Sequence, residues 1–245
     1  MCGTLFLNME YLPIKTRIMQ PPKDDLFALF DGYLIDVREE DIVLVSSKIV
    51  AIGEGRCLPI EGNNKQKLVE HEADVLIHRE YWGVPMTIKQ STFLGNAGID
   101  ESNSNGYYTL LPQDMFDSAK QIQAYLKKKH NIEKVGVIIT DSHSQALRYG
   151  ATGIGLAFWG IEPLQDHVGR KDLFGRSILF EKSNLIDGLA SGATVVGGEV
   201  NECQPIVIAR GVPQVVFTEG NLQEQLFVRP EKDMFRVLYE RYLKR

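Results

Sequence analysis

Two short apolar runs constrain this chain more than any other feature. Residues 41–52 contain Ile42-Val43-Leu44-Val45, and residues 134–140 contain Val135-Gly136-Val137-Ile138-Ile139. Each is bounded by polar residues and does not alternate apolar with polar, which reads as a buried strand. Further strands are expected at 75–77, 154–158, 177–181, 204–210 and 215–217. Helical patterns fall between them. Residues 114–130 place Met115, Phe116, Ala119, Ile122 and Leu126 at spacings of three and four, with Asp114 and Asp117 at the start and Lys127, Lys128 and Lys129 at the end, an order that suits the helix dipole. Ser183 is placed to cap a helix through Leu185, Ile186, Leu189, Ala190 and Ala193 that stops at Gly197-Gly198, and residues 24–33 form a shorter amphipathic candidate. The alternation predicts mixed α and β layers.

Composition excludes several functions. The 245 residues are 44% hydrophobic and 24% charged, which is globular, and the net charge of −5 is spread without blocks. A duplex-DNA binder needs a basic field, so no nucleic-acid partner is expected. Cys2, Cys57 and Cys203 are widely spaced with no CxxC pair, so neither a disulfide framework nor a zinc site follows. No apolar run reaches the roughly 18–20 residues of a membrane helix. The first ten residues lack a basic segment followed by a long apolar stretch. A soluble, cytoplasmic protein with no membrane partner is the expectation.

Several familiar motifs are missing. There is no Gly-Lys dipeptide and so no Walker A loop; Gly153-Ile154-Gly155 lacks the third glycine of a dinucleotide site; no GxSxG or HExxH occurs. The most irregular stretch, residues 92–114, concentrates glycine, asparagine, serine and aspartate, the kind of long loop that carries function. Three carboxylates sit at strand ends or glycine turns: Asp100, Asp141 after Val137-Ile138-Ile139-Thr140, and Glu199 after Gly197-Gly198. Each alone reads either as a cap of the next turn or as a ligand for a hard cation. Ser102 and Asn103 after Asp100, Ser142 after Asp141, and the glycines beside Glu199 shift the balance toward cation and phosphate binding.

These blocks recur in a known order. Ser47-Lys48-Ile49-Val50 with Gly53-Glu54-Gly55-Arg56, Asn96-Ala97-Gly98-Ile99-Asp100 with Ser102-Asn103, Thr140-Asp141-Ser142, Gly169-Arg170-Lys171-Asp172-Leu173-Phe174-Gly175-Arg176 and the stretch from Pro205 to Gly211 together resemble the coenzyme F420-0:γ-glutamyl ligase family. The resemblance implies an α+β fold of mixed sheets and helices, one domain over residues 1–245 made of two intertwined subdomains, assembled as a homodimer. It implies a GTP-dependent (or ATP-dependent) enzyme with two Mg2+ or Mn2+ ions per site that joins L-glutamate to a carboxylate acceptor through an acyl phosphate. Asp100 and Asp141 would hold one metal, and Ser142 and Glu199 the second. The nucleotide would contact a turn of Leu12, Pro13, Ile14 and Lys15, then Ser47, Lys48, Asn103, and the loop carrying Gly197, Gly198, Glu199 and Gln204. Lys48, Asp100 and Asp141 would be the catalytic residues. Arg170, Asp172 and Arg176 match the family in type, without an assigned role.

Two departures bear on the acceptor. Ile52 stands where the family has a nucleotide-contacting lysine, and Ser142-His143-Ser144-Gln145-Ala146-Leu147-Arg148 replaces the family's Thr-Phe-Gly-Arg-Pro-Trp-Arg. Serine keeps a hydroxyl for metal, while the aromatic and arginine contacts are lost. The resemblance extends to a divergent branch of the family associated with adding glutamate to folate, so folate is a second candidate acceptor beside F420-0, and the two departures are consistent with a switched acceptor; a non-catalytic nucleotide- or pterin-binding relative is a third reading, opposed by the three retained carboxylates. His143 reads as a polar loop residue rather than a ligand. Cys203 reads as a small packing residue, with no histidine or lysine beside it to activate it.

Overall fold

The computed structural model describes residues 8–77 and 83–243; Cys2 and the remainder of residues 1–7 lie outside the described residues. Strand β1 (Glu10–Ile14) leads to helix α1 (Leu26–Tyr33), strand β2 (Ile42–Ser46) and helix α2 (Ser47–Glu54). There follow β3 (Cys57–Pro59), α3 (Lys65–Glu72), β4 (Val75–Ile77), β5 (Met86–Lys89), β6 (Thr92–Gly95), a 3-10 turn at Asn96–Gly98 and β7 (Tyr107–Thr109). The chain continues through α4 (Met115–His130), β8 (Gly136–Ser144), β9 (Ala151–Trp159), β10 (Leu164–Asp166), β11 (Lys182–Asn184), α5 (Leu185–Gly197), β12 (Ile206–Arg210) and α6 (Gln223–Leu226). This is the expected α+β class.

The main sheet has five strands in the order β1-β12-β2-β8-β9. All neighbours are antiparallel except β2 and β8, which run parallel with Ser46 opposite Thr140. Val43, Val45, Val137, Ile139, Ile206 and Ile208 face a core closed by α1, α2 and α4, whereas Ile42, Leu44, Ile138, Val207 and Ala209 face a second core closed by α5. Both faces are covered, so every position in β2 and β8 favours an apolar residue. That is why the two runs show no alternation. At one end of the sheet the invading Arg210 guanidinium donates to both oxygens of buried Asp41 (2.8 and 2.7 Å).

The remaining strands form β3-β7, β10-β11 and the three-stranded β4-β5-β6. Chain between β2 and β8 builds two of these sheets before α4 returns it to the main sheet. Helix α4 is capped by Asp114, whose carboxylate accepts from Asp117 N (2.9 Å). α2 ends at Gly55, whose positive φ of 77° suits only a residue without Cβ.

Gly153 and Gly155 have a packing role. A Cβ on Gly155 would overlap Ile186 Cγ2, and one on Gly153 would overlap the Ala190 carbonyl and Thr194, so these glycines let α5 lie directly on β9. The β8–β9 register shifts between Ile139 and Thr140, and the Gly155 N–H there donates to Asp187 on α5 (3.0 Å).

Several boundaries differ from expectation. The apolar stretch expected as one strand over 41–52 breaks at Ser46, because Ile49, Val50 and Ile52 also satisfy helical spacing and bury against the same core. Residues 177–181 contribute only a Ser177–Lys171 bridge, and 215–217 only a Phe217–Ile161 bridge. The cap of α5 is Asn184, accepting from Asp187 N (3.0 Å), while Ser183 lies in β11. Leu12, Pro13 and Ile14 are not a turn: they pair with Ile208, Val207 and Ile206, because Leu12 and Ile14 have core to cover. Helix α3 and strands β3, β5, β6 and β7 had no clear sequence signal.

Gly155→Ala should cost about 1–3 kcal/mol by overpacking α5 against β9. Urea denaturation of the variant checks this; an unchanged midpoint would show that α5 yields freely.

Candidate functional site

Parallel pairing of β2 and β8 sets two chain ends side by side. Residues just past Ser46, at the carboxyl end of β2, and just past Thr140, where β8 continues beyond β2, then line one crevice. On the β2 side these are Ser47 and Lys48 in the first turn of α2; on the β8 side they are Asp141 and Ser142. β12 runs antiparallel to β2, so the loop entering it, residues 198–205, opens on the same edge, with Ser46 N donating to Pro205 O (2.9 Å). β1 ends there too, and Thr16 N donates to Cys203 O (3.0 Å). Together they line a cleft of about 740 Å³.

A further wall comes from the small sheets. β6 passes into the 3-10 turn, and Asp100 follows, exchanging backbone hydrogen bonds with Thr109 (3.0 and 2.8 Å). Lys48 Nζ donates to Asp100 Oδ2 (2.6 Å) and to the Ser102 carbonyl (2.8 Å). Ser102 donates its N–H and its hydroxyl to the two Asp100 oxygens (2.9 and 2.7 Å). Asn103, at a positive φ of 51°, donates its side-chain amide to Val200 O (2.7 Å), tying this wall to the 198–205 loop. Within that loop Gly198 adopts φ 81°, ψ 169°, open essentially to glycine alone.

The two aspartates are electrostatically unlike. Burial works to raise the Asp100 carboxyl, but the Lys48 ammonium and the Ser102 hydrogen bonds outweigh it and hold it below its usual range. Asp141 is half-buried in the cleft wall, and desolvation pushes it up to about 6 against hydrogen bonds from Ser142 N (2.8 Å) and Ser47 Oγ (3.0 Å). The negative charge of Asp100 adds to that rise, so the two carboxylates lie close enough to repel. A hard divalent cation between them would relieve the repulsion, and carboxylate and hydroxyl oxygens are the donors it prefers. Among the described residues no group of three or more His, Cys, Asp or Glu side chains forms a metal cage. One or two carboxylates completed by substrate phosphates is the usual arrangement for Mg2+.

Ser47, Lys48, Asp100, Asn103, Asp141, Ser142, Gly197, Gly198, Glu199 and Gln204 all line this cleft. Glu199 is an exposed residue. Gln204 faces inward toward the backbone: its amide nitrogen, turned as its neighbours require, donates to Val196 O (3.2 Å) and Gly197 O (3.3 Å). Leu12, Pro13, Ile14 and Lys15 are not in the lining, where Thr16, Arg17, Ile18, Met19 and Gln20 take their place one step further along the chain. Arg17 is fixed there by two hydrogen bonds to Asp24 (2.5 and 2.9 Å). No sequence motif marks this rim segment, which sequence reasoning missed. His143 lies in β8 opposite Thr152, outside the lining, and burial lowers its pKa. Cys203 is a lining residue at positive φ (59°), not a core packing residue, and contributes its carbonyl to Thr16. Ile52 is buried in the core at the cleft's base.

A raised folded-state pKa means that Asp141 favours folding while protonated, and that this contribution is lost as pH rises from about 4 through about 6. In EDTA-treated protein at pH 7.5, Asp141→Asn should therefore be more stable than the parent by on the order of 2 kcal/mol, with the gain vanishing near pH 4. Thermal unfolding at the two pH values checks it; a variant less stable at pH 7.5 would contradict the assignment.

The sequence model of the F420-0:gamma-glutamyl ligase family matches residues 61–211. A coenzyme F420:L-glutamate ligase of Methanocaldococcus jannaschii is 41% identical over 236 residues, spanning 95% of this chain and 93% of the relative. Proteins of the same name from Methanopyrus kandleri and Archaeoglobus fulgidus are 28% and 27% identical over 256 aligned positions, covering 96% and 97% of this chain and all of each relative. Matched by this family model over more than half of its length, and 41% identical to a relative that it spans almost entirely, the chain belongs to the F420-0:γ-glutamyl ligase family.

Proposed function

We propose that this protein is a nucleoside-triphosphate-dependent γ-glutamyl ligase that joins L-glutamate to the carboxylate of coenzyme F420-0 or of a folate. The observation that carries the reading is the meeting of Lys48–Asp100–Ser102 with Ser47–Asp141–Ser142 in one cleft of a size suited to a nucleotide. Relatives named as coenzyme F420:L-glutamate ligases support the F420-0 arm. Folate stands beside it because a divergent branch of the family is associated with that acceptor, and Ile52 and the changed 142–148 segment are consistent with a switched acceptor.

Amide formation from a carboxylate and an amine is uphill in water, so the acceptor carboxylate is first phosphorylated by the terminal phosphoryl group of GTP or ATP, whose bond to the bridging oxygen breaks as the nucleoside diphosphate leaves. The amine of L-glutamate then attacks the acyl carbon, forming the C–N bond and releasing phosphate and a proton. Lys48 presents its ammonium to the phosphoryl oxygens and is held on station by Asp100 and the Ser102 carbonyl. The glycine-rich 197–198 bend offers close backbone approach to phosphate, and Asn103 keeps that loop against the opposite wall. Asp100, Asp141, Ser142 and Glu199 would hold two Mg2+ or Mn2+ ions, which supply charge neutralisation of the phosphates and polarisation of the acceptor.

We also propose a homodimer. Leu147, Tyr149, Leu173, Phe174 and Phe180 stand on two hairpin segments, Tyr149 fully exposed and Phe174 91% exposed, and such apolar tips suit a second copy. Phe174→Glu with Phe180→Glu should halve the mass in light scattering; an unchanged mass would assign the tips another role. No helix among the described residues is long and apolar enough to cross a membrane, and the reading places the enzyme in the cytoplasm.

Incubation with L-glutamate, Mn2+, GTP or ATP, and either F420-0 or mono-glutamyl folate should add one glutamyl mass unit to one acceptor. Asp100→Ala and Asp141→Ala should each abolish that gain while remaining folded, a loss of several kcal/mol of transition-state stabilisation. Normal turnover in either variant, or no product from either acceptor and no metal-dependent stabilisation by nucleotide, would overturn the assignment.

A further inference from the structure

The residues after 211 lie beyond the stretch matched by the family model, and the last of them cover a sheet that the proposed mechanism depends on. In β4-β5-β6 the pairing registers Val75, Ile88 and Phe93 across one face, and Ile77 with Met86 on the same side. Leu76, Thr87 and Leu94 lie on the opposite face, toward the body of the protein. Tyr239, only 3% exposed, seats against the outer face with Tyr242 and Leu243; its ring meets Phe93 edge-on with centroids 5.2 Å apart. The Tyr239 hydroxyl donates to Asp233 Oδ2 (2.7 Å), closing the segment on itself.

The inner face of the same sheet holds the turn before Asp100. Buried Thr87 donates its hydroxyl to Leu94 O (2.6 Å) and accepts from Ala97 N (2.9 Å), while Asn96 N donates to Pro85 O (2.9 Å). Asn96 and Ala97 both sit at positive φ, 54° and 53°, a conformation that non-glycine residues keep only when their surroundings impose it. Three strands of three or four residues are marginal unless both faces are covered. Main-chain strain next to Asp100 therefore needs a rigid sheet behind it, and the sheet needs the cover that Tyr239 supplies.

We infer that residues 233–243 form a positioning strap: by closing the outer face of β4-β5-β6, Tyr239 fixes the 96–98 turn and thereby the place of Asp100 against Lys48. Tyr239 is not among the residues that line the cleft and acts through the sheet, so it is a positioning residue. The kinetic part of its test rests on the ligase reading; the exchange part does not.

Hydrogen exchange by mass spectrometry on the full chain separates local from global effects. Tyr239→Ala should speed exchange over residues 94–101 about tenfold while leaving β8 within about twofold. Tyr239→Phe, which keeps the ring, should match the parent. In the ligation assay, well below the melting temperature, Tyr239→Ala should lower kcat about tenfold with the KM for L-glutamate little changed, as expected for a displaced reacting group. Equal acceleration of both segments, no change over 94–101, or full kcat despite faster local exchange would each overturn the strap. If the parent protein ligates neither acceptor, the ligase reading fails and the exchange comparison still decides the strap's hold on the turn.

Discussion

The parallel pairing of β2 with β8 is the interaction on which the rest of the structure depends. It is the one parallel contact in the main sheet, and it places Ser46, where β2 passes into α2, opposite Thr140, beyond which β8 runs on beside β9, so that the residues following both fall on a common edge. Because β12 and β1 are antiparallel on the other side of β2, the entry to one and the exit of the other fall on that edge as well. A cleft with four chain segments at its rim follows from strand direction alone. The side chains only have to fill it.

Lys48 then does for the two layers what backbone pairing does within each. Its stem rises from the first turn of α2 and its ammonium ends on Asp100 and on the Ser102 carbonyl, more than fifty residues away in sequence. The contact matters less as a stabilising ion pair, since partly exposed pairs contribute little. Its importance is in fixing where a cation and a carboxylate stand relative to the half-buried Asp141. That carboxylate, shifted to about 6 by burial, is unfavourable in the metal-free fold. Such a cost at a cleft floor is the usual mark of a site shaped for binding rather than for stability.

Much of this was readable from residue order. The unalternating runs at 42–45 and 135–139 identified the central strands because burial on both faces removes any need for polar positions. Asp100, Asp141, Glu199 and their serine and glycine neighbours were recognisable because each block is local. Other features were not. The run over 41–52 hid a strand-to-helix change because its apolar residues satisfy both periods. Leu12 to Lys15 were assigned to the nucleotide although Leu12 and Ile14 are spent on the core and the lining begins at Thr16. Gln204 lines the cleft as expected, but that its amide turns to the carbonyls of Val196 and Gly197 is set by the folded loop.

The sequence by itself determined which residues could do chemistry and which segments had to be buried, since both depend on residue type and short-range spacing. Tertiary structure alone decided that Lys48 meets Asp100, that Asp141 rather than Asp100 carries the raised pKa, and that Tyr239 backs the sheet behind the site. Those outcomes rest on strand direction, burial and contacts across many tens of residues, quantities that exist only once the chain has closed on itself.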